Sequence, residues 1–280
     1  MMAQYTPDHL TKANRYSQRG KTKSRPQIHG YHTRHILHDS TNLNTDHKTA
    51  SYDTELIHSI VNECPILHVS FNAPPKDGPQ FPTILPMLGT IATYASDEDA
   101  HVYVHGSNVA RLFKLTAGGE MPICVAATIL DGYVLSLAPF HNSCNYRCAV
   151  LFGYGSVVED PEEVLWAMRL ITNGTVPRRW ENSRHPPSKS EITATAVLRI
   201  RIETASAKTR AGGPGDEKAD LQDAELSGKT WTGVVPTYQM MGSPIADANN
   251  KVKVLPEYLA DWVADANSMA EQRAVDSVEG

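Results

Sequence analysis

No run of about 18 apolar residues occurs in this 280-residue chain, which excludes a membrane-spanning helix. Residues 1–30 lack the apolar segment a secretory leader needs, so export is not expected. Cysteine is scarce: only Cys64, Cys124, Cys144 and Cys148 occur, too few for a disulfide scaffold. Cys64 and Cys124 sit in apolar or near-apolar runs and read as buried free thiols. Cys144 and Cys148 form a C-x3-C pair with no second pair, a poor zinc site. The expectation is a cytoplasmic protein with reduced thiols and no structural metal. Common catalytic signatures are missing too. Gly153-Tyr154-Gly155 lacks the third glycine and the following helix of a dinucleotide fingerprint. There is no G-x-S-x-G and no H-E-x-x-H, and no spacing of Ser, His and Asp singles out a triad.

What is present is an ordinary globular composition with an uneven charge. Hydrophobic residues make up 41% and charged residues 20%, enough apolar surface for a sizeable core. The net charge of −5 excludes a generally basic, nucleic-acid-binding surface. Residues 1–48 hold eight Lys and Arg against three Asp, so this stretch carries +5 and the remainder −10. It reads as a basic, partly disordered arm. His29, His32, His35 and His38 recur there at every third position. Such a row can present imidazoles to a metal, or be no more than an extended basic segment. Arg34-His35 is placed to fold back over a neighbouring site. Residues 49–245 read as the globular domain, and 246–280 as a C-terminal helix with a frayed tail.

The globular stretch is rich in strand patterns. Ser51 reads as the cap of a helix whose apolar face is Leu56, Ile60 and Val61, ending near Asn62. Strands are expected over 66–71, 81–91 and 101–105. Leu112, Phe113 and Thr116 follow Val109 at helical spacing up to Gly118-Gly119. Met121–Leu130 and Tyr133–Ala138 read as two strands of a hairpin turned by Asp131-Gly132. Ala149–Val158 adds a third. Asp160 caps the next helix, Pro161 takes its first position and Glu163 closes a capping box. Residues 196–203 alternate as a half-exposed strand, 211–229 read as a mobile loop, and 231–240 as the last strand. Six or seven antiparallel strands with few helices predict a mainly β (α+β) barrel or sandwich.

Three constellations carry chemistry. His105-Gly106-Ser107, followed by Arg111, stands at a strand-to-helix junction. A capping hydroxyl and a cation one turn on can hold a phosphate there; the same residues also fit a plain capped helix. His141-Asn142-Ser143-Cys144-Asn145-Tyr146-Arg147 sets polar side chains between two core strands. In a strand, Asn145 and Arg147 leave one face and Tyr146 the other. Arg147 suits a phosphate or ring carbonyl and Asn145 an amide-like ring edge, or both belong to a buried polar network. Lys208 and Arg210, one residue apart, can clamp a polyanion or simply end a solvated strand. Trp231 is either core or a lid on a planar ligand.

Together with Pro65–Val69, Tyr103–Ser107, Asp131-Gly132, Phe152-Gly153, Glu159-Asp160, Val176–Trp180, Ser206–Arg210 and Trp231–Val234, these segments resemble the pyridoxamine 5′-phosphate oxidase-like, FMN-binding split-barrel proteins. The similarity is greatest to the branch related to nitroimidazole-resistance proteins and covers roughly residues 50–240. The resemblance implies a six-stranded antiparallel split β-barrel with peripheral helices, a homodimer, and FMN at the dimer interface. It implies an oxidoreductase acting on a small organic molecule with NAD(P)H as electron donor; a non-catalytic flavin or haem carrier is the alternative. By position, Ser107 and Arg111 match the phosphate-binding segment, with His105 beside it. Asn145 and Arg147 match the segment that meets the partner's flavin, and Lys208, Arg210 and Trp231 match the C-terminal contact region. The backbone of Thr83, Leu85 and their neighbours would run under the ring. His141 is the candidate proton donor, and His105 or His141 would hold the iron if the group is haem. The family's Arg-Leu-His-Asp-Arg signature has no counterpart over Gly233–Met241, so vitamin B6 oxidation is not expected.

Overall fold

A computed structural model describes residues 50–73, 81–95, 97 and 99–279. The arm expected over residues 1–48, with its histidine row, lies outside them. In chain order the elements are β1 (Ala50–Ser51), α1 (Thr54–Glu63), β2 (Leu67–Phe71), β3 (Thr83–Met87), β4 (Gly89–Ala92), β5 (His101–Ser107) and α2 (Arg111–Thr116). Then come β6 (Met121–Leu135), β7 (Ser143–Val157), α3 (Pro161–Thr175), α4 (Lys189–Ala194) and β8 (Thr195–Arg210). The chain closes with α5 (Lys218–Gln222), α6 (Ala224–Lys229), β9 (Gly233–Pro236) and α7 (Glu257–Glu279).

The strands form one antiparallel sheet in the order β3-β2-β6-β7-β8-β5-β4, with β1 on β8 and β9 on β6. β3 and β4 stand at opposite ends of that order, yet only Leu88 separates them in sequence. The two edges are therefore brought together, and the sheet rolls into a split barrel. The strand count is nine rather than six. The expected strand over 81–91 breaks at Leu88, where the chain changes its pairing partner from β2 to β5. Short β1 and β9 supply the remaining extra strands.

Alternation sets the core. Val69, Val125, Ala127, Ala149, Leu151 and Ala207 are buried on the inner face, where Ile57, Ile60 and Val61 of α1 join them. Each Val, Leu and Ile among them contributes about 1.5–3 kcal/mol on full burial, and each Ala less. A smaller core lies outside β5, where Tyr103, Val158 and Val197 pack under Ala167 and Ile171 of α3. The strands β7 and β8 slip register between Phe152 and Gly153. A Cβ at Gly153 would sit 1.9 Å from the Arg201 carbonyl oxygen, so only glycine permits this approach.

Several local expectations are corrected. Asp131-Gly132 makes no hairpin: β6 runs through it, and both flanks pair with β7 across a bulge between Leu130 and Gly132. The hairpin connection lies instead at 136–142, around a 3-10 turn over Pro139–His141. The helix α1 is capped by Asp53, which accepts from the Leu56 N–H at 2.7 Å, and not by Ser51, which belongs to β1. Asp160 caps α3 as expected, but no capping box forms because Glu163 turns inward to Tyr103 and Arg199. The region 211–229 holds α5 and α6. The last strand is only Gly233–Pro236, leaving Trp231 outside it. The C-terminal tail is helical to Glu279 and tied down.

Candidate functional site

The predicted site residues fall at two ends of the barrel. At one end, β6, β7 and β8 bring Asn145, Arg147, Lys208 and Arg210 together, with His141 in the adjoining turn and Trp231 just before β9. The alternation expected for Asn145, Tyr146 and Arg147 is present, because all three lie in β7. The face of Asn145 and Arg147 is the inner one. Arg147 donates to Asp131 through Nε and Nη2 at 2.9 Å, and to Glu63 through Nη1 at 2.7 Å and Nη2 at 2.9 Å. Glu63 closes α1 and also pairs with Arg273 of α7 at 2.8 Å. Burial raises the Glu63 pKa, but the hydrogen bonds and charges of Arg147, then of Arg273, outweigh it and hold the carboxyl below its ordinary value. Hydrogen bonds to Asp131 and Glu63 hold Arg147 more firmly protonated than a free guanidinium.

Asn145 is fully buried. Its Nδ2 donates to the carbonyls of Gly212 at 3.1 Å and Ser277 at 3.0 Å, and its Oδ1 accepts from Arg210. Within the chain, Asn145 and Arg147 thus bind the ends of α1 and α7 to the barrel wall. Arg210 also donates to the Gly213 carbonyl at 3.1 Å. Lys208 differs. Its side chain makes no hydrogen bond or ion pair among the described residues, and it stands opposite Cys148 in register. Burial raises the Cys148 thiol pKa above its ordinary value despite the opposing pull of Lys208.

The face that carries Cys148 is half-buried or exposed. His68, Ala126, Val150 and Ser206 lie in one row across β2, β6, β7 and β8; Ile84, Ser70, Cys124 and Phe152 lie in the next, with β3 added. Ile84 is 59% exposed. Near this end, the Ser136 hydroxyl donates to the His141 carbonyl at 2.8 Å, while His141 Nδ1 is buried without a partner among the described residues. Trp231 is 66% exposed; its ring would lie 2.7 Å from a Cβ at Gly233, whose φ of +151° favours glycine.

The other end holds His105, Ser107 and Arg111, with β3 nearby. Ser107 ends β5 and caps nothing: the helix cap is Ala110, whose N–H donates to the Ser107 carbonyl at 2.9 Å. Arg111 opens α2 and, like Lys208, has no partner among the described residues. Burial lowers the His105 pKa, and its Nδ1 is buried without a partner among the described residues. Thr83 and Leu85 of β3 face inward beside Met87, whose Cε lies 3.7 Å from a Cβ position at Gly106.

Ser107 is in register with Thr195, so Lys208 lies thirteen residues farther along β8. At about 3.3 Å per residue that is about 43 Å of strand path. One chain therefore does not join the two groups. Glu63, Asp131, Arg273 and Ser277 belong to the site's framework and were not singled out from the sequence. The Asp-Gly pair was the available signal for Asp131, and it reads as a turn until a partner strand is known.

The family model for pyridoxamine 5′-phosphate oxidase matches residues 53–209. Among solved structures, the flavocytochrome Anf3 of Azotobacter vinelandii is 30% identical, with a TM-score of 0.63 over 77% of this chain and 92% of that one. An FAD and haem binding protein of Mycobacterium smegmatis is 25% identical, with a TM-score of 0.64 over 76% of this chain and 97% of that one. A search of curated proteins gave no match.

Proposed function

The chain belongs to the pyridoxamine 5′-phosphate oxidase family, and from that premise we propose that it is a flavin-dependent oxidoreductase acting on a small organic molecule, working as a homodimer. The observation that carries the reading is the pair of unspent cations. Of the predicted site cations, Arg111 and Lys208 alone lack any side-chain partner among the described residues, and they lie at opposite ends of β8. Two copies packed through the open face of Ile84, Val150 and Phe152 offer a way for one copy's Arg111 to serve the same ligand as the other's Lys208.

The residues fit a phosphate-bearing planar cofactor. Arg111 would bind the phosphate, with the Ser107 hydroxyl beside it. Lys208 would stand at the polar edge of the ring and hold negative charge there. Arg147 is already neutralised by two carboxylates, so its role is to fix the wall rather than to supply charge. Thr83 and Leu85 would line the ring's path. Trp231 is an exposed plane able to exclude water above it. The flavin, when bound, supplies hydride and single-electron chemistry between a nicotinamide donor and the substrate. His141, with a free ring nitrogen, would deliver a proton to the substrate.

Haem beside the flavin is a second reading. Both of these structural neighbours are proteins whose names include haem or a cytochrome. His105 and His141 each keep a buried imidazole nitrogen without a partner among the described residues, the donor type such an iron takes. The sequence resemblance favours FMN, and the name of the Mycobacterium smegmatis neighbour favours FAD.

A spectrum of the purified protein, with mass analysis of what denaturation releases, tests all three groups. Flavin bands are expected, a Soret band identifies haem, and a colourless dimer overturns the proposal. Arg111→Ala is expected to release the flavin; retained stoichiometric flavin refutes the phosphate assignment.

A further inference from the structure

A groove of about 570 Å³ runs between α3 and the segment 176–187, and none of its lining residues belongs to the candidate flavin site. Leu165, Trp166, Trp180, Pro186 and Pro187 line it, together with Arg169 and His185. The polar groups around it are already engaged. Asn173 of α3 accepts from the Trp180 N–H at 2.8 Å and donates to both Glu181 oxygens, at 3.2 and 3.0 Å. Arg169 donates to Glu181 at 2.9 Å, which cancels its charge, and the His185 Nε2 is taken by the Trp180 carbonyl.

These contacts clamp the 176–187 segment onto the helix, so the groove is formed before any ligand arrives. They also leave its surface without a net charge, because the one guanidinium in the lining is paired. What remains on offer is the lining of two indoles and two prolines. Its volume lies in the range of small-molecule sites, roughly 300–1,000 Å³.

We propose that this groove binds a neutral, planar aromatic molecule, held by stacking on Trp180 and Trp166. A charged ligand would meet no counter-charge there, since Arg169 and Glu181 neutralise each other. A flat aromatic suits a lining of indole and proline rings and needs no hydrogen bond to compensate its burial. Trp166 adds a structural link inward. Its ring centroid lies 5.3 Å from that of buried Tyr103 and 5.1 Å from that of Tyr94, so a ligand stacked on it rests against the outer core of β5. The inference does not depend on the flavin reading, because the groove shares no residue with that site.

The test is calorimetric titration of the full-length protein with 2-naphthol, a neutral bicyclic probe. Saturable binding at one site per chain is expected. Trp180→Ala should weaken it about tenfold, the effect of losing one good aromatic stack with its contact area. Phe140→Ala, which removes a 98% exposed ring elsewhere, should leave it unchanged. Equal weakening by both substitutions, or none by Trp180→Ala, overturns the proposal, as does unsaturable binding. Intermolecular NOEs between naphthol protons and the Trp180 indole in the wild-type protein report the stacking directly, without relying on a folded variant; their absence at saturation overturns it.

Discussion

Replacing Arg147 by methionine separates two roles for the residue. In the structure it bridges Asp131, whose side chain is 6% exposed, and Glu63, which is 26% exposed. Methionine keeps much of the length and removes the charge. Glu63 retains Arg273, so the main loss falls on Asp131, left nearly buried without a cation. Removing one partner of a buried pair costs roughly 3–5 kcal/mol, and the partial exposure of Arg147 favours the lower end, about 3 kcal/mol. With a urea slope of about 2–3 kcal/mol/M, the unfolding midpoint should fall by about 1–1.5 M. The assay is urea unfolding of the cofactor-free protein, monitored by circular dichroism. Asp131→Asn in the same background should cost little further, because the charge to be stranded is gone. A cofactor-free Arg147→Met protein as stable as wild type would refute the network as a structural tie and return Arg147 to ligand binding.

The same network predicts a pH dependence. The Glu63 carboxyl has a lower pKa folded than unfolded, so its stabilising contribution is full above roughly pH 4.3 and is lost as pH falls through the folded value. Acid unfolding of Glu63→Gln should therefore show a shallower loss of stability below about pH 4.3 than wild type. Gly153→Ala should strongly lower the thermal midpoint, because its Cβ would meet backbone at 1.9 Å. Tyr103→Phe removes the donor that serves buried Glu163 at 2.8 Å and should cost about 1–3 kcal/mol by denaturant unfolding. Deleting residues 272–280 strips the Ser277 carbonyl from Asn145 and Gly212, and should expose the 211–229 region to rapid hydrogen exchange.

Much of the fold was legible because its signals are local. The period-two alternation of 196–203 needs only adjacent residues to be read, and it does place Leu198 and Ile200 inside, with Ile202 partly buried beside them. Asp160 followed by Pro161 marks the start of α3 for the same reason. The misreadings share one cause. Asp131-Gly132 has the composition of a turn and the role of a bulge, and only the length of β7 beside it distinguishes them. Residues 81–91 look continuous, yet the barrel must close at Leu88, and closure is a property of the whole sheet.

The site divides in the same way. Residue types, their order and the resemblance they carry were enough to name the family and the cations. They could not tell which cations were already spent. Arg147 and Lys208 are equally plausible ligands on paper, but Arg147 is neutralised by carboxylates from α1 and the β6 bulge, sixteen and more residues away. Electrostatic pairing depends on through-space distance. The sequence by itself therefore determined the family, the strand pattern and the inventory of charges. Only the tertiary structure decided which charge remains available, and that the two halves of the predicted site stand at opposite ends of one barrel.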